Sequence, residues 1–256
     1  MLTSLQNPRI KAVRSLHTKK GRQAAGDFLL ETTKLVQEAL RSGWPILEAY
    51  ATDSWVERYG SLEGVKLERV ADRLFPSLVT TETPEGIVAI AKLPQVFDLP
   101  PVRADSWFIA TEAIQDPGNL GTLIRTADAV GASAVLLGPG TVDPYSPKVI
   151  RATMGSLFHL PVLLRPKVYE DVAQLRERGV SVYATTMQAE RSLYDLDLKG
   201  PLLWLIGNEG QGLSVEALAL ATERVSIPMP GHAESLNAAI ASAICLYETL
   251  RQRMKP

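Results

Sequence analysis

Three stretches of the chain place Gly, Asn, Glu, Ser and Arg where an apolar strand stops and a helix is expected to start. They are Asp116-Pro-Gly-Asn119-Leu-Gly-Thr-Leu-Ile-Arg125-Thr-Ala127, Ile206-Gly207-Asn-Glu209-Gly-Gln-Gly212 and Ile227-Pro-Met229-Pro-Gly-His-Ala-Glu-Ser235-Leu236-Asn237. In an open α/β sheet such exits are where ligands bind. Asp116-Pro-Gly is turn chemistry, and Asn119 is expected to cap the helix that follows. Arg125 then falls on the second turn. A cation so near a helix start opposes the dipole, so an anionic partner such as phosphate suits it, although a cap followed by a surface arginine fits the same spacing. In the second stretch the glycines permit positive φ and close approach of a ligand to backbone. Their Gly-x-x-Gly-x-Gly spacing is neither the dinucleotide fingerprint nor a P-loop. Glu209 would repel phosphate but suits a hydroxyl or a polar base edge. In the third, two prolines stiffen the strand exit and Ser235 is expected to cap the last helix. Asn237 then sits in the first turn, its amide free to face a cleft.

The elements that must hold these residues alternate. Ahead of a proline-rich linker at 94–104, helical spacing is read at 33–41 and 71–78, the latter interrupted by Pro76. Strands are read at 46–51 and 86–91. Beyond the linker, strands are expected at 107–113, 134–137, 162–164, 180–184, 202–206 and 224–227. Helices are expected at 120–130, 147–158, 169–178, 215–221 and 236–253, with Gly131 and Gly179 as C-terminal glycines. Apolar strands separated by helices predict an α/β fold with a parallel sheet covered on both faces. The chain divides into 1–95, a small α/β domain, and 105–256.

With 256 residues, 46% of them hydrophobic, the chain can bury a sizeable core. A net charge of −1 gives no global nucleic-acid signal. Residues 1–26 are the exception, holding Arg9, Lys11, Arg14, Lys19, Lys20 and Arg22 and no acidic side chain. Both a solvated helix and a phosphate-contacting arm fit that run. The single cysteine, Cys245, excludes an internal disulfide and reads as a packed thiol. His17, His159 and His232 lack ligand spacing, so no metal is expected. Neither a signal-peptide core nor a bilayer-length apolar run is present, which predicts a cytoplasmic location and no membrane partner.

Jointly the three stretches resemble the SpoU (TrmH-like) RNA 2′-O-ribose methyltransferases of the SPOUT class. The shared residues are Asn-Leu-Gly-x-x-x-Arg-Thr-Ala (119–127), Gly-Asn-Glu-Gly-x-Gly (207–212) and Ile-Pro-Met … Ser-Leu-Asn (227–237). Phe28-Leu-Leu-Glu31 and Thr83-Pro-Glu-Gly-Ile-Val-Ala89 are similar to the substrate-binding domain many members carry, itself like small RNA-binding ribosomal proteins. Thr32 stands where the family often has Gly, and Ala238-Ala239 where it often has Val-Ser. The resemblance implies a deep trefoil knot and S-adenosylmethionine held near Gly207, Ile227, Met229 and Leu236. It also implies a homodimer in which Arg125 of one subunit reaches the partner's site. The substrate it implies is structured RNA, ribosomal in preference to transfer RNA, with a non-catalytic RNA-binding protein as the competing class. Asn119, Glu209, Ser235 and Asn237 would orient the reactants. Family analogy has Arg125 take the 2′-hydroxyl proton. Since a guanidinium is almost never neutral, a charged clamp on phosphate is the favoured role.

Overall fold

A computed structural model describes residues 1–94 and 98–254. The chain forms two compact units, Met1–Gln95 with Asp143–His159, and Val96–Val142 with Leu160–Pro256. Of the linker read at 94–104, residues 95–97 lie outside the described residues, and 98–104 contain neither helix nor strand.

The first unit begins with α1 (Pro8–Ser15), α2 (Lys19–Ala25), β1 (Asp27–Leu30), α3 (Thr33–Arg41), β2 (Ile46–Ala51), α4 (Asp53–Tyr59), β3 (Leu67–Arg69) and β4 (Ile87–Lys92). Its sheet runs β1-β4-β2-β3, antiparallel except for the β2–β3 pair. Ile10, Val13 and Leu16 bury themselves against Phe75 and Leu78. The helix expected at 71–78 is only a 3₁₀ turn, Phe75–Leu78, because Pro76 can open a short helix but supplies no donor to extend one.

The second unit opens with β5 (Trp107–Thr111), α5 (Pro117–Ala129) and β6 (Ala134–Leu137). The next segment carries α6 (Pro147–Thr153) and belongs to the first unit. There Arg22 pairs with Asp143 and Arg151 with Glu31, and Tyr145 packs its ring on Phe28. The helix expected at 147–158 stops at Thr153, since Met154 and Gly155 both have positive φ. Gly155 is required there, because a Cβ would lie 2.8 Å from Glu38 Cγ.

The chain then returns to the second unit with β7 (Val162–Leu164), α7 (Val168–Glu177), β8 (Ser181–Thr185), β9 (Arg191–Ser192), β10 (Leu202–Ile206), α8 (Val215–Leu220), β11 (Glu223–Ser226) and α9 (Ala238–Arg253). These strands and β5 and β6 form a seven-stranded sheet, β7-β6-β5-β10-β8-β11-β9. Every neighbouring pair is parallel. The strands β5, β6 and β10 are buried along their whole length, as a sheet covered on both faces requires. One face packs Phe108, Leu136, Leu203 and Leu205 with Val168, Val172 and Leu175 of α7. Toward α9, Trp204 Nε1 donates to Thr249 Oγ1 at 3.0 Å. Cys245 is fully buried, and burial pushes its thiol up. Arg253 ties the end of α9 back to the sheet, donating to the carbonyls of Leu198, Gly200 and Asp105 and lying over the Trp107 ring. Among the described residues no helix is long and apolar enough to cross a membrane.

Candidate active site

The C-terminal edge of this sheet carries the polar residues. β5 ends at Thr111, and five residues later Asp116 starts α5: its Oδ1 accepts from Asn119 N–H at 2.8 Å, and Pro117 takes the first helical position. The cap expected at Asn119 is therefore Asp116. This places Arg125 further along α5 than the second turn and leaves the Asn119 amide free for tertiary contacts. Asn119 Nδ2 donates to Glu209 Oε1 at 3.0 Å, and Asn119 Oδ1 accepts from Asn237 Nδ2 at 2.8 Å. Asn237 in turn caps α9, its Oδ1 accepting from the N–H groups of Ala239 (2.9 Å) and Ile240 (3.3 Å). The cap expected at Ser235 is thus Asn237. Ser235 is exposed and makes no hydrogen bond among the described residues.

Both ends of this relay fix its direction. The start of α9 offers only N–H donors, so the Asn237 oxygen must face it and its nitrogen must face Asn119. A carboxylate offers only acceptors, so Asn119 must turn its nitrogen to Glu209. Burial pushes the Glu209 carboxyl up. The hydrogen bonds from Asn119 and from the backbone N–H groups of Glu209, Gln115 and Asp116 outweigh it and hold the group below the usual carboxylate range.

The Gly207–Gly212 loop is closed by its own backbone. Asn208 and Gly212 exchange N–H···O bonds of 3.0 Å, and Gly212 adopts φ +70°. A Cβ on Gly207 would lie 2.3 Å from the Gly212 carbonyl carbon. Gly207 thus makes room for its own loop, where the sequence suggested room for a ligand.

Four residues that sequence reasoning gave no role hold this loop from behind. Asn208 Oδ1 accepts from Gly210 and Gln211 N–H, and its Nδ2 donates to Ala113 O at 2.7 Å. Ala113 presents that carbonyl from a left-handed conformation, φ 52°. Gln115 N–H donates to Glu209 Oε2 at 3.4 Å, and Glu112 Oε2 accepts from Ser214 N–H at 2.8 Å. Burial and a hydrogen bond to Glu112 push the Tyr169 hydroxyl up to about 12, so it remains protonated near neutral pH. The signals available were an acid ending an apolar strand, for Glu112, and an Asn in a glycine loop, for Asn208.

Ile227, Met229 and Leu236 lie in the irregular segment after β11, half-buried. Strands β10 and β11 flank β8, so at the usual strand spacing their exits lie about 10 Å apart. Among the described residues the backbone N–H groups of Ile227, Met229 and Leu236 donate to nothing. Open backbone donors beside a stiff double-proline segment fit a cofactor recognised mainly through main-chain groups. Arg125 is exposed on α5, six residues from Asn119, which is about 9 Å along the axis and about 120° around it. It has no polar partner among the described residues and stands outside the relay. His232 is likewise exposed. Among the described residues no group of three or more His, Cys, Asp or Glu could hold a metal ion.

A buried parallel sheet whose C-terminal edge brings three separated bends to one polar relay defines an α/β protein with its ligand site at the strand exits. Residues 106–247 match the SpoU rRNA Methylase family, and residues 7–89 match the MRM3-like substrate binding domain. The chain belongs to the SpoU rRNA methylase family. It is 36% identical to the 23S rRNA (guanosine(2553)-2′-O)-methyltransferase RlmP of Bacillus subtilis, over 96% of this chain and 97% of that protein. The AdoMet-bound rRNA methyltransferase structure from Sinorhizobium meliloti superimposes with a TM-score of 0.88 at 35% identity, covering 99% of this chain and 98% of that one. The SpoU methyltransferase AviRb from Streptomyces viridochromogenes, solved with AdoMet, gives 0.86 at 32% identity, covering 97% and 98%.

Proposed function

We propose that this protein transfers the methyl group of S-adenosylmethionine to a ribose 2′-hydroxyl of ribosomal RNA. The observation that carries the reading is the relay from Asn237 through Asn119 to Glu209, which unites the three bends at one sheet edge. The backbone of Gly207, Ile227, Met229 and Leu236 would hold the cofactor. Bound there, S-adenosylmethionine supplies a methyl group on a positively charged sulfur, an electrophile that needs no acid to release it. The chain's own work is alignment, which can provide much of the acceleration in a displacement. Asn119 and Asn237 set the direction of the relay, Glu209 presents a fixed carboxylate to a ribose or base hydrogen, and Ser235 offers an exposed hydroxyl two residues before Asn237. Arg125 has five donors and no acceptor. Its role is a charged clamp on the RNA phosphate that also stabilises negative charge developing on the 2′-oxygen.

Because Arg125 stands exposed and outside the relay of its own chain, we place it in the site of a second copy, in a homodimer. The half-exposed apolar side chains Ile240 and Tyr247 of α9 support such an interface. We further propose that the tail threads a trefoil knot. Supporting this, β10 enters the sheet between β5 and β8, and the chain beyond β11 returns to pack α9 on α5. Residues 1–95 would grip the RNA and 105–256 carry out transfer, in the cytoplasm. The test is tritium transfer from labelled S-adenosylmethionine to 23S rRNA, with tRNA as the second substrate arm. Wild type should label rRNA, and Arg125→Lys should lose at least about 100-fold in turnover with cofactor affinity intact. Near-normal turnover of Arg125→Lys would remove the clamp.

A further inference from the structure

The basic run in residues 1–26 divides in two when its partners are assigned. Arg9 is neutralised by Glu48 and Glu68, at 3.5 and 2.8 Å. Arg22 is buried, its Nε 3.0 Å from Asp143 Oδ2. Lys11, Arg14, Lys19 and Lys20 remain exposed, with no polar side-chain partner among the described residues. The next acid along the chain, Asp27, is taken by Lys92 at 2.9 Å.

These four cations stand on a fixed scaffold. Lys11 and Arg14 are three residues apart and share one side of α1, whose other side buries Ile10 and Val13. Lys19 and Lys20 open α2. The corner between the helices is locked by Gly21, where a Cβ would lie 1.9 Å from the Ser15 carbonyl oxygen. Arg22 Nη1 closes it from inside, donating to the carbonyls of Leu16 (2.8 Å) and His17 (3.0 Å).

We propose that the α1–α2 corner is a phosphate grip for the RNA substrate, with Lys11, Arg14, Lys19 and Lys20 as its contacts. The inference rests on the ribosomal RNA reading above and names where the first unit holds that RNA. A polyanion is the chemistry that answers four unpaired cations on a chain whose net charge is −1. The rigid backbone lowers the ordering cost of binding. An anionic membrane is the weaker fit, because it needs apolar side chains beside the charges, and the solvent-facing positions between Lys11 and Ser15 are Lys11, Ala12, Arg14 and Ser15.

The experiment is an anisotropy titration of the full chain with a 23S rRNA transcript over a series of KCl concentrations. The variants are K11Q/R14Q, K19Q/K20Q and all four together, with exposed K199Q/R178Q as a charge-matched control. Four lost phosphate contacts should flatten the slope of log affinity against log salt by about 3 and weaken binding at 150 mM KCl on the order of 100-fold. Each pair should give about half the slope change, with S-adenosylmethionine affinity and urea midpoint unchanged. An unchanged slope overturns the assignment, as does an equal fall in the control or equal binding to phosphatidylserine vesicles. The two readings fail separately. A wild-type chain that shows the steep slope and its loss in the variants, yet transfers no methyl group, would sink the methyltransferase reading and leave the grip standing.

Discussion

Asn237→Asp separates the two duties of Asn237. The residue caps α9 with its oxygen and starts the relay with its nitrogen. A carboxylate keeps the first duty, since Asp and Asn are equivalent N-caps, and its charge at the helix start adds about 0.3–1 kcal/mol. It abolishes the second, a neutral hydrogen bond of about 1 kcal/mol. The net stability change should therefore fall within about 1 kcal/mol of zero. The site cannot repair itself, because Asn119 has one nitrogen and would face two carboxylates, Glu209 and the new one. Turning the amide toward either leaves its oxygen against the other. One misdirected hydrogen bond of about 1.4–2.8 kcal/mol in the transition state is a 10- to 100-fold loss. Urea unfolding and single-turnover methyl transfer at saturating cofactor and RNA measure the two quantities. Asn237→Ala, which loses the cap as well, should fall in both by about 1 kcal/mol or more. An Asn237→Asp variant with the wild-type rate would refute the relay, and one as unstable as Asn237→Ala would refute the cap.

Asn119→Asp puts a second carboxylate where the amide nitrogen lies 3.0 Å from Glu209, a repulsion of about 1.4 kcal/mol even at the dielectric of water. Its methyl transfer should be poor at pH 8 and recover as pH falls and the pair takes up one shared proton. Wild type should respond in the opposite sense. Its Glu209 carboxyl is held low, so the relay persists above the usual carboxylate range and is lost as pH falls through the depressed value. A flat profile for the variant would count against the geometry. Gly207→Ala must displace backbone atoms of Gly212 and Leu213, at 2.3–2.5 Å from the added carbon. It should cost about 1–3 kcal/mol and abolish cofactor binding by calorimetry, and retained affinity would show the loop to be more compliant than its contacts imply. Arg22→Leu leaves Asp143 without its cation and the Leu16 and His17 carbonyls without a donor. About 3–5 kcal/mol should be lost in urea unfolding, and a loss under 1 kcal/mol would contradict a buried role for the pair.

The centre of the parallel sheet is legible because β5, β6 and β10 are apolar along nearly their whole length. The segments 134–137, 162–164 and 202–206 were read with the bounds they have, as were β2 and α3 in the first unit. Short polar elements are not legible. β3 (Leu-Glu-Arg) and β9 (Arg-Ser) carry too little apolar character to stand out, and β1 opens on a charged residue, Asp27. Both helix caps at the site differ from the residues the sequence points to, for local reasons. Asp116-Pro-Gly reads equally as a turn or as a cap followed by proline at the first helical position. Ser235 and Asn237 are comparable caps, and what favours Asn237 is the Asn119 oxygen, 118 residues away in sequence. The bends themselves were visible as composition. Their hydrogen-bond direction was not, since it follows from which groups meet.

That distance along the chain ties the site to completion of the fold. The relay joins residues 90 and 118 positions apart, and no local segment contains any two of its members. Strand β10 follows β5, β6, β7, β8 and β9 in sequence, yet lies between β5 and β8 in space. Until it pairs with both, Glu209 has no reason to stand beside Asn119. Until α9 packs on α5, Asn237 cannot reach either of them. Pairings of this separation form late, because loop-closure entropy is lost before their contacts repay it. The relay hydrogen bonds therefore depend on the long-range pairing of β10 and the docking of α9, and an Asn119 side chain engaged at both ends marks a finished sheet. The exposed cations of α1 and α2 and the helix bearing Arg125 need neither β10 nor α9 for their own backbone, whereas the relay needs both. The four exposed cations of α1 and α2 and the relay are thus carried by different compact units of the molecule.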